Sequence, residues 1–109
     1  MKRGDIVLCS MSSDFGKVRP AVVVQSDTFN GVRDTTSLCP LTTTDIEAPL
    51  FRIMLNPAPS NGLVKQSWIM IDKVCSIKNS RVRKIQGALT DNELKQIDVA
   101  LRQWLALGD

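Results

Sequence analysis

The sequence predicts a small α+β fold: a strongly bent β-sheet or barrel with one helix packed on it at the C-terminus. Three observations predict it. Dense runs rich in β-branched residues recur along the first 90 positions, among them Ile6-Val7-Leu8-Cys9 and Ala21-Val22-Val23-Val24. One amphipathic helical pattern then follows, opened by its own start signal at Thr90-Asp91-Asn92-Glu93. At 109 residues the chain has room for one domain with one core, spanning 1–109.

Taken in order, Ile6 to Cys9 is a short apolar strand behind the charged Lys2-Arg3-Gly4-Asp5. Ser10 to Lys17 is polar, carries Gly16 near its end and reads as a loop. The second strand runs from Arg19 to about Ser26. Proline cannot donate to a sheet ladder, so Pro20 belongs at the strand's opening, with Arg19 just outside it. Thr28 to Asp34 is a turn-like excursion around Asn30-Gly31, and Thr35 to Leu41 is extended again. Phe51 to Leu55 reads as a fourth strand. Asn56 to Gly62 (NPAPSNG) is a loop by composition alone, and Ser67 to Cys75 is the longest strand-like run. Asn79 to Lys84 fits one helical turn, and Ile85 to Leu89 a last short strand.

The terminal helix is the most strongly signalled element. Thr90 is the expected N-cap and Glu93 the residue reaching back to its amide, with Leu89 and Leu94 spaced as a hydrophobic staple. Leu94, Ile97, Leu101, Trp104 and Leu105 form one apolar face opposite Lys95, Asp98, Arg102 and Gln103. Gly108 is the expected stop.

Composition removes whole classes of function. No apolar run approaches the roughly 20 residues that cross a bilayer, and the charged N-terminus lacks an apolar signal core, so a cytoplasmic location is expected. There is no histidine. Ser-His-Asp and Cys-His catalysis and histidine metal sites are therefore excluded, and acid–base work falls to Asp, Glu, Lys, hydroxyls or water. Cys9, Cys39 and Cys75 lie in apolar segments with no CxxC pair and read as buried reduced thiols. The net charge of +3 is unevenly spread: Lys73, Lys78, Arg81, Arg83 and Lys84 stand within 73–87 with no acid among them. Such a run is either a solvated face or a surface for a polyanion.

Three polar constellations sit at strand ends: Arg19 with Gln25-Ser26-Asp27, Thr42-Thr43-Thr44, and Ser67 with Asp72. The plain reading of each is structural. Arg19 makes an ion pair, the threonines cap a turn, Asp27 makes an Asx-turn and Asp72 pairs with a base. The functional reading is a phosphate-handling site at one end of the barrel, with Arg19 as a rigidly mounted cation.

The segments RGDIVL, GKVRPAVVVQSD, CPLTT and QSWIMIDKVCSIKNSRV, in that order and followed by an amphipathic helix, resemble the MazF/PemK (Kid) toxins of bacterial type II toxin–antitoxin pairs. The likeness spans nearly the whole chain. It implies a small Src-homology-3-like β-barrel of the CcdB/MazF/Kid type, forming a homodimer. It also implies a toxin endoribonuclease, an mRNA interferase cutting single-stranded RNA without metal or other cofactor and neutralised by a cognate acidic antitoxin. The family's catalytic arginine and threonine fall on Arg19 and Thr42, with Thr43 one register step away. Asp72 falls where many members carry an acid proposed as acid or base. Lys17, Gln25, Ser26, Thr43, Ser67, Lys73 and Lys78 are the candidate RNA contacts. The chain departs from the pattern at Met70, where the Kid branch has an arginine, and at Cys75, where MazF relatives often have one. The Kid-branch histidine of the first loop is absent too.

The chemistry agrees. Attack by a ribose 2′-OH needs charge stabilisation on a crowded phosphorane, which an arginine fork and a hydroxyl donor supply. A carboxylate such as Asp72 is a fitting proton acceptor if its pKa suits. The nucleophile is part of the substrate, so no metal is needed to generate it. Two readings compete with this one. A non-enzymatic toxin of the CcdB type, which poisons DNA gyrase by contact, shares the fold but has no use for the Arg19/Thr42 pair. A non-catalytic nucleic-acid-binding barrel would want a stacking platform. With 5% aromatics and no tyrosine, only Phe15, Phe29, Phe51 and Trp68 are candidates for that.

Overall fold

A computed structural model describes residues 1–11 and 17–108. The expected loop residues Ser12 to Gly16, Phe15 among them, lie outside the described residues. Seven strands form one antiparallel sheet: β1 (Asp5–Ser10), β2 (Val18–Val23), β3 (Thr35–Thr42), β4 (Arg52–Leu55), β5 (Ser67–Met70), β6 (Cys75–Lys78) and β7 (Val82–Ala88). The strand order is β4-β5-β3-β2-β1-β7, with β6 also paired to β3. One helix, α1 (Asp91–Trp104), follows.

Both faces of the sheet centre are buried, so its strands read as continuous apolar runs rather than alternating ones. Ile6, Val22, Cys39, Leu41, Ile69 and Ile71 face a core shared with Ile97 and Ala100 of α1. Val7, Cys9, Ala21, Val23, Leu38 and Ile77 face the other way into a second cluster, joined by Met11, Cys75 and Val82. Successive side chains in a strand point to opposite faces, so neighbours such as Ile6 and Val7 feed two different cores.

α1 begins as its sequence signature requires. The Thr90 hydroxyl oxygen accepts from the Glu93 amide at 3.2 Å, and the Glu93 carboxylate accepts from the Thr90 amide at 2.8 Å. Leu89 and Leu94 both pack on the helix-side core. The N-terminus braces the helix: Arg3 pairs with Asp98 at 2.7 Å and donates from Nε to the Val24 carbonyl at 2.9 Å.

Several expected boundaries shift, each for a physical reason. The run Ser67 to Cys75 is not one strand. It breaks at a 3-10 turn, Ile71–Lys73, because its two ends pair with different stretches of β3. β5 lies along Leu41 and Thr42, whereas β6 lies along Thr35 to Leu38. The turn buries Ile71 and leaves Asp72 partly buried. β2 ends at Val23, where Gln25 leaves the ladder to bond side chain to backbone with Ser37 and Thr35. The helical turn after β6 is limited to Asn79–Arg81, and β7 starts at Val82 along β1. The helix stop is not Gly108. Ala106 takes the left-handed conformation (φ 55°), and the Leu107 amide bonds back to the Arg102 carbonyl at 2.9 Å, a Schellman closure.

Candidate active site

Arg19 and Thr42 are brought together from two strands that run side by side. β2 pairs with β3 only from Ala21, opposite Pro40, so the start of β2 and the end of β3 emerge at the same end of the sheet. Pro20 stands just before that pairing begins, where its missing N–H costs no β2–β3 bond. Thr42 continues the β3 ladder one step past Leu41, against Trp68 of β5.

A cavity of about 360 Å³ is lined by Arg19 and Thr42 together with Met11, Pro40, Met70, Lys73 and Cys75. A second cleft of about 180 Å³ adjoins it and holds Arg19 and Thr42 again, with Pro20, Thr43, Thr44 and Ser67. Two cations, Arg19 and Lys73, thus stand beside a hydroxyl cluster, with no acid on either lining among the described residues. The Thr42 Oγ1 accepts from the Thr44 amide at 3.2 Å. That bond fixes the side chain and leaves its proton to be donated outward. The Ser67 hydroxyl donates to the Lys65 carbonyl at 3.0 Å and is buried, so its lone pairs are what it offers the cleft.

Burial disfavours the thiolate form of Cys75 on the cleft lining and of Cys39 in the core. Burial pushes Cys39 up to about 12, and burial likewise raises Cys75. Among the described residues no group of three or more Cys, Asp or Glu is arranged to hold a metal ion.

The other candidates separate into near and far. Thr43, Ser67 and Lys73 line the two clefts. Lys17 is exposed at the entry to β2. Gln25, Ser26 and Lys78 stand at the opposite end of the sheet. Gln25 bonds to Asn30, Thr35 and Ser37 at the start of β3, and Lys78 pairs in register with Thr35. Thr42 is seven residues further along β3, on the order of 23 Å at 3.3 Å per residue. Asp27 serves the N-terminus, accepting from the Arg3 amide at 2.8 Å and from Asn30 at 2.9 Å, which together lower its pKa.

Asp72 lines neither cleft. Arg52 of β4 donates Nε to its Oδ1 at 2.8 Å and Nη2 to its Oδ2 at 3.1 Å. The Arg52 hydrogen bonds hold the Asp72 carboxyl below its ordinary value. Sequence reasoning did not single out Arg52, because nothing local links it to a residue 20 positions away. A larger cavity, about 460 Å³, lies beside this pair, but Asp45 and Glu47 on its lining repel a polyanion.

The sequence matches the PemK-like, MazF-like toxins of type II toxin–antitoxin systems over residues 2–105. The chain belongs to this family. It is 36% identical over 109 residues to the probable endoribonuclease MazF of Mycolicibacterium smegmatis, covering 99% of both chains. Solved structures share the fold. The Mycobacterium tuberculosis toxin MazF-mt6 superposes with a TM-score of 0.83 at 17% identity, over 96% of this chain and 99% of that one. An endoribonuclease in complex with its cognate antitoxin, from a mycobacterial species, gives 0.81 at 20% identity, over 100% and 98%. A MazE–MazF structure from Deinococcus radiodurans gives 0.80 at 24% identity, over 99% and 97%. The mainly antiparallel sheet with one C-terminal helix is thus the MazF-like fold. No helix of the described residues is long and apolar enough to cross a membrane.

Proposed function

We propose that this protein is a toxin endoribonuclease that cleaves single-stranded RNA through attack of a ribose 2′-OH on the adjacent phosphate. The observation that carries the reading is the shared lining of one cleft by Arg19 and Thr42, in a chain whose curated relative is a probable endoribonuclease. Arg19 meets the nonbridging oxygens with a permanently charged, forked donor. Thr42, held by the Thr44 amide, donates its proton to the same oxygens as charge grows on them. Lys73 adds a second positive charge at the rim. Asp72 is assigned to structure rather than to proton transfer, because its carboxylate is occupied by Arg52. The 2′-OH proton then passes to water, and as the P–O5′ bond breaks the departing 5′-oxygen takes a proton from water.

An acidic antitoxin occupying this basic cleft is the matching regulator, since acidic disordered segments wrap basic surfaces as they fold. A homodimer fits a chain of this size, which gains from burying a further apolar face. Incubating purified protein with a long single-stranded RNA, and with the same RNA annealed to its complement, tests the reading. Cleavage of the single strand alone supports it, since bases locked in a duplex cannot be splayed onto a small surface. No cleavage of either, together with inhibition of DNA gyrase, favours the non-enzymatic toxin.

A further inference from the structure

A third concavity, about 440 Å³, continues the cleft around the end of the sheet. It shares Pro20, Thr43 and Ser67 with the Arg19/Thr42 cleft, so the two lie side by side. Pro20 lines both hollows, whereas Arg19, its neighbour in β2, lines only the cleft. Leu8 pairs with Pro20 on one side and Lys84 on the other, so Pro20, Leu8 and Lys84 form one cross-strand row. Lys84 is therefore two strand spacings from Pro20, about 10 Å.

The lining has a particular chemistry. Leu8, Leu63 and Val64 give an apolar wall, Lys65 and Lys84 give two cations, and no acid is present among the described residues. Val64 is 90% exposed, so nothing in the described chain covers that wall. The wall is also rigidly built. Asn61, only 2% exposed, accepts on Oδ1 from the Ala58 and Leu63 amides, both at 3.0 Å. Its Nδ2 donates to the Asn56 carbonyl at 2.9 Å. The loop is then pressed onto β7: the Ala88 amide bonds the Ser60 carbonyl at 2.9 Å, and a Cβ on Gly87 would lie 2.5 Å from the Asn61 backbone.

We propose that this trough is a nucleotide subsite, seating one unpaired base of the RNA on Leu8, Leu63 and Val64. The phosphate flanking that nucleotide lies on Lys84 and Lys65. An apolar wall beside two cations matches a nucleotide, which carries an apolar base face next to an anionic phosphate. The residues shared with the cleft place it next to the scissile phosphate. The proposal rests on the reading of the chain as an endoribonuclease. It adds the residues that choose the sequence cut.

The test is cleavage of a long RNA of mixed sequence, with product ends sequenced and kcat and KM measured, for wild type, Val64→Asp, Lys84→Ala and the helix-surface control Lys95→Ala. Thermal melts show that each variant is folded. Val64→Asp and Lys84→Ala are expected to raise KM about tenfold and to change base preference at one position beside the cut. Lys95→Ala should match wild type. Lys84→Ala should also lower the slope of log KM against log salt by about 0.7, the value for one lost contact to a single strand. Folded variants with unchanged preference, KM and salt slope overturn the subsite and leave the nuclease reading standing. The same result with weakened capture of an acidic peptide assigns the trough to a protein partner and equally overturns it. A wild type that cuts no RNA removes both.

Discussion

Arg52 and Asp72 grip each other through two parallel hydrogen bonds, at 2.8 and 3.1 Å, across the outer surface of β4 and the turn after β5. The pair is mostly buried, with side chains 9% and 18% exposed. Bidentate geometry of this kind engages both carboxylate oxygens and stabilises their charge, which makes Asp72 a weaker base toward a substrate proton.

Asp72→Asn should therefore cost stability rather than catalysis. The loss should be about 2 kcal/mol, the scale of hydrogen bonds to a charged group. The sign follows from the depressed pKa: the contribution is present above the unfolded value, near 3.9, and is lost as pH falls through the folded value. Denaturant melts of both proteins between pH 7 and pH 3 check this. The stability gap should narrow at the acid end, while the pH profile of RNA cleavage keeps its shape.

The two ends of α1 predict opposite outcomes. Thr90→Ala removes the side-chain acceptor for the Glu93 amide and should cost about 1 kcal/mol. Ala106→Gly relieves a left-handed alanine at φ 55°. It should stabilise by about 0.5–1 kcal/mol, after the entropic cost of glycine is set against the strain removed. Thermal melts of the two variants should move in opposite directions.

Gly87→Ala forces a methyl against the Asn61 and Ser60 backbone, where atoms stand 2.5 to 2.6 Å from the new Cβ. No flexible side chain is there to yield. Overpacking of this kind costs about 1–3 kcal/mol, and the loop carrying Leu63 and Val64 should shift with it. Amide hydrogen exchange should show lost protection at Leu63, whose N–H bonds to Asn61.

The sequence disclosed features carried by neighbouring residues and hid those that depend on pairing across the sheet. The helix start was legible because Thr90 and Glu93 are three residues apart and interact directly. The nearness of Arg19 to Thr42 depends on the β2–β3 register, which apolar runs alone leave open. The same limit scattered the RNA-contact candidates: Gln25, Ser26 and Lys78 are polar and near strands, yet they stand at the wrong end of β3. Ser67 to Cys75 looked uniform because strand composition does not record a change of partner. NPAPSNG announced a loop, but that Asn61 plugs it is set by backbone groups that leave no mark in composition.

The chemistry of the cut leaves its own record. Attack by the 2′-OH should yield a 2′,3′-cyclic phosphate and a 5′-OH, and replacing the ribose 5′ to the scissile bond with deoxyribose should stop cleavage there. Mass spectrometry of the product ends, with cleavage run in excess EDTA, checks it. A 5′-phosphate, or activity lost with the metal, contradicts the mechanism.

The central claim is that Arg19, beside Thr42, stabilises the charge that develops on the phosphate. Its most direct measurement is the single-turnover rate of RNA cleavage by wild type, Arg19→Ala and Thr42→Ala, at saturating protein and with melts showing each variant folded. A loss on the order of 10²–10³ or more is expected for Arg19→Ala. Thr42→Ala should lose less, since a neutral hydroxyl stabilises a phosphorane more weakly than a charged fork. A folded Arg19→Ala protein that cuts RNA at the wild-type rate would contradict it.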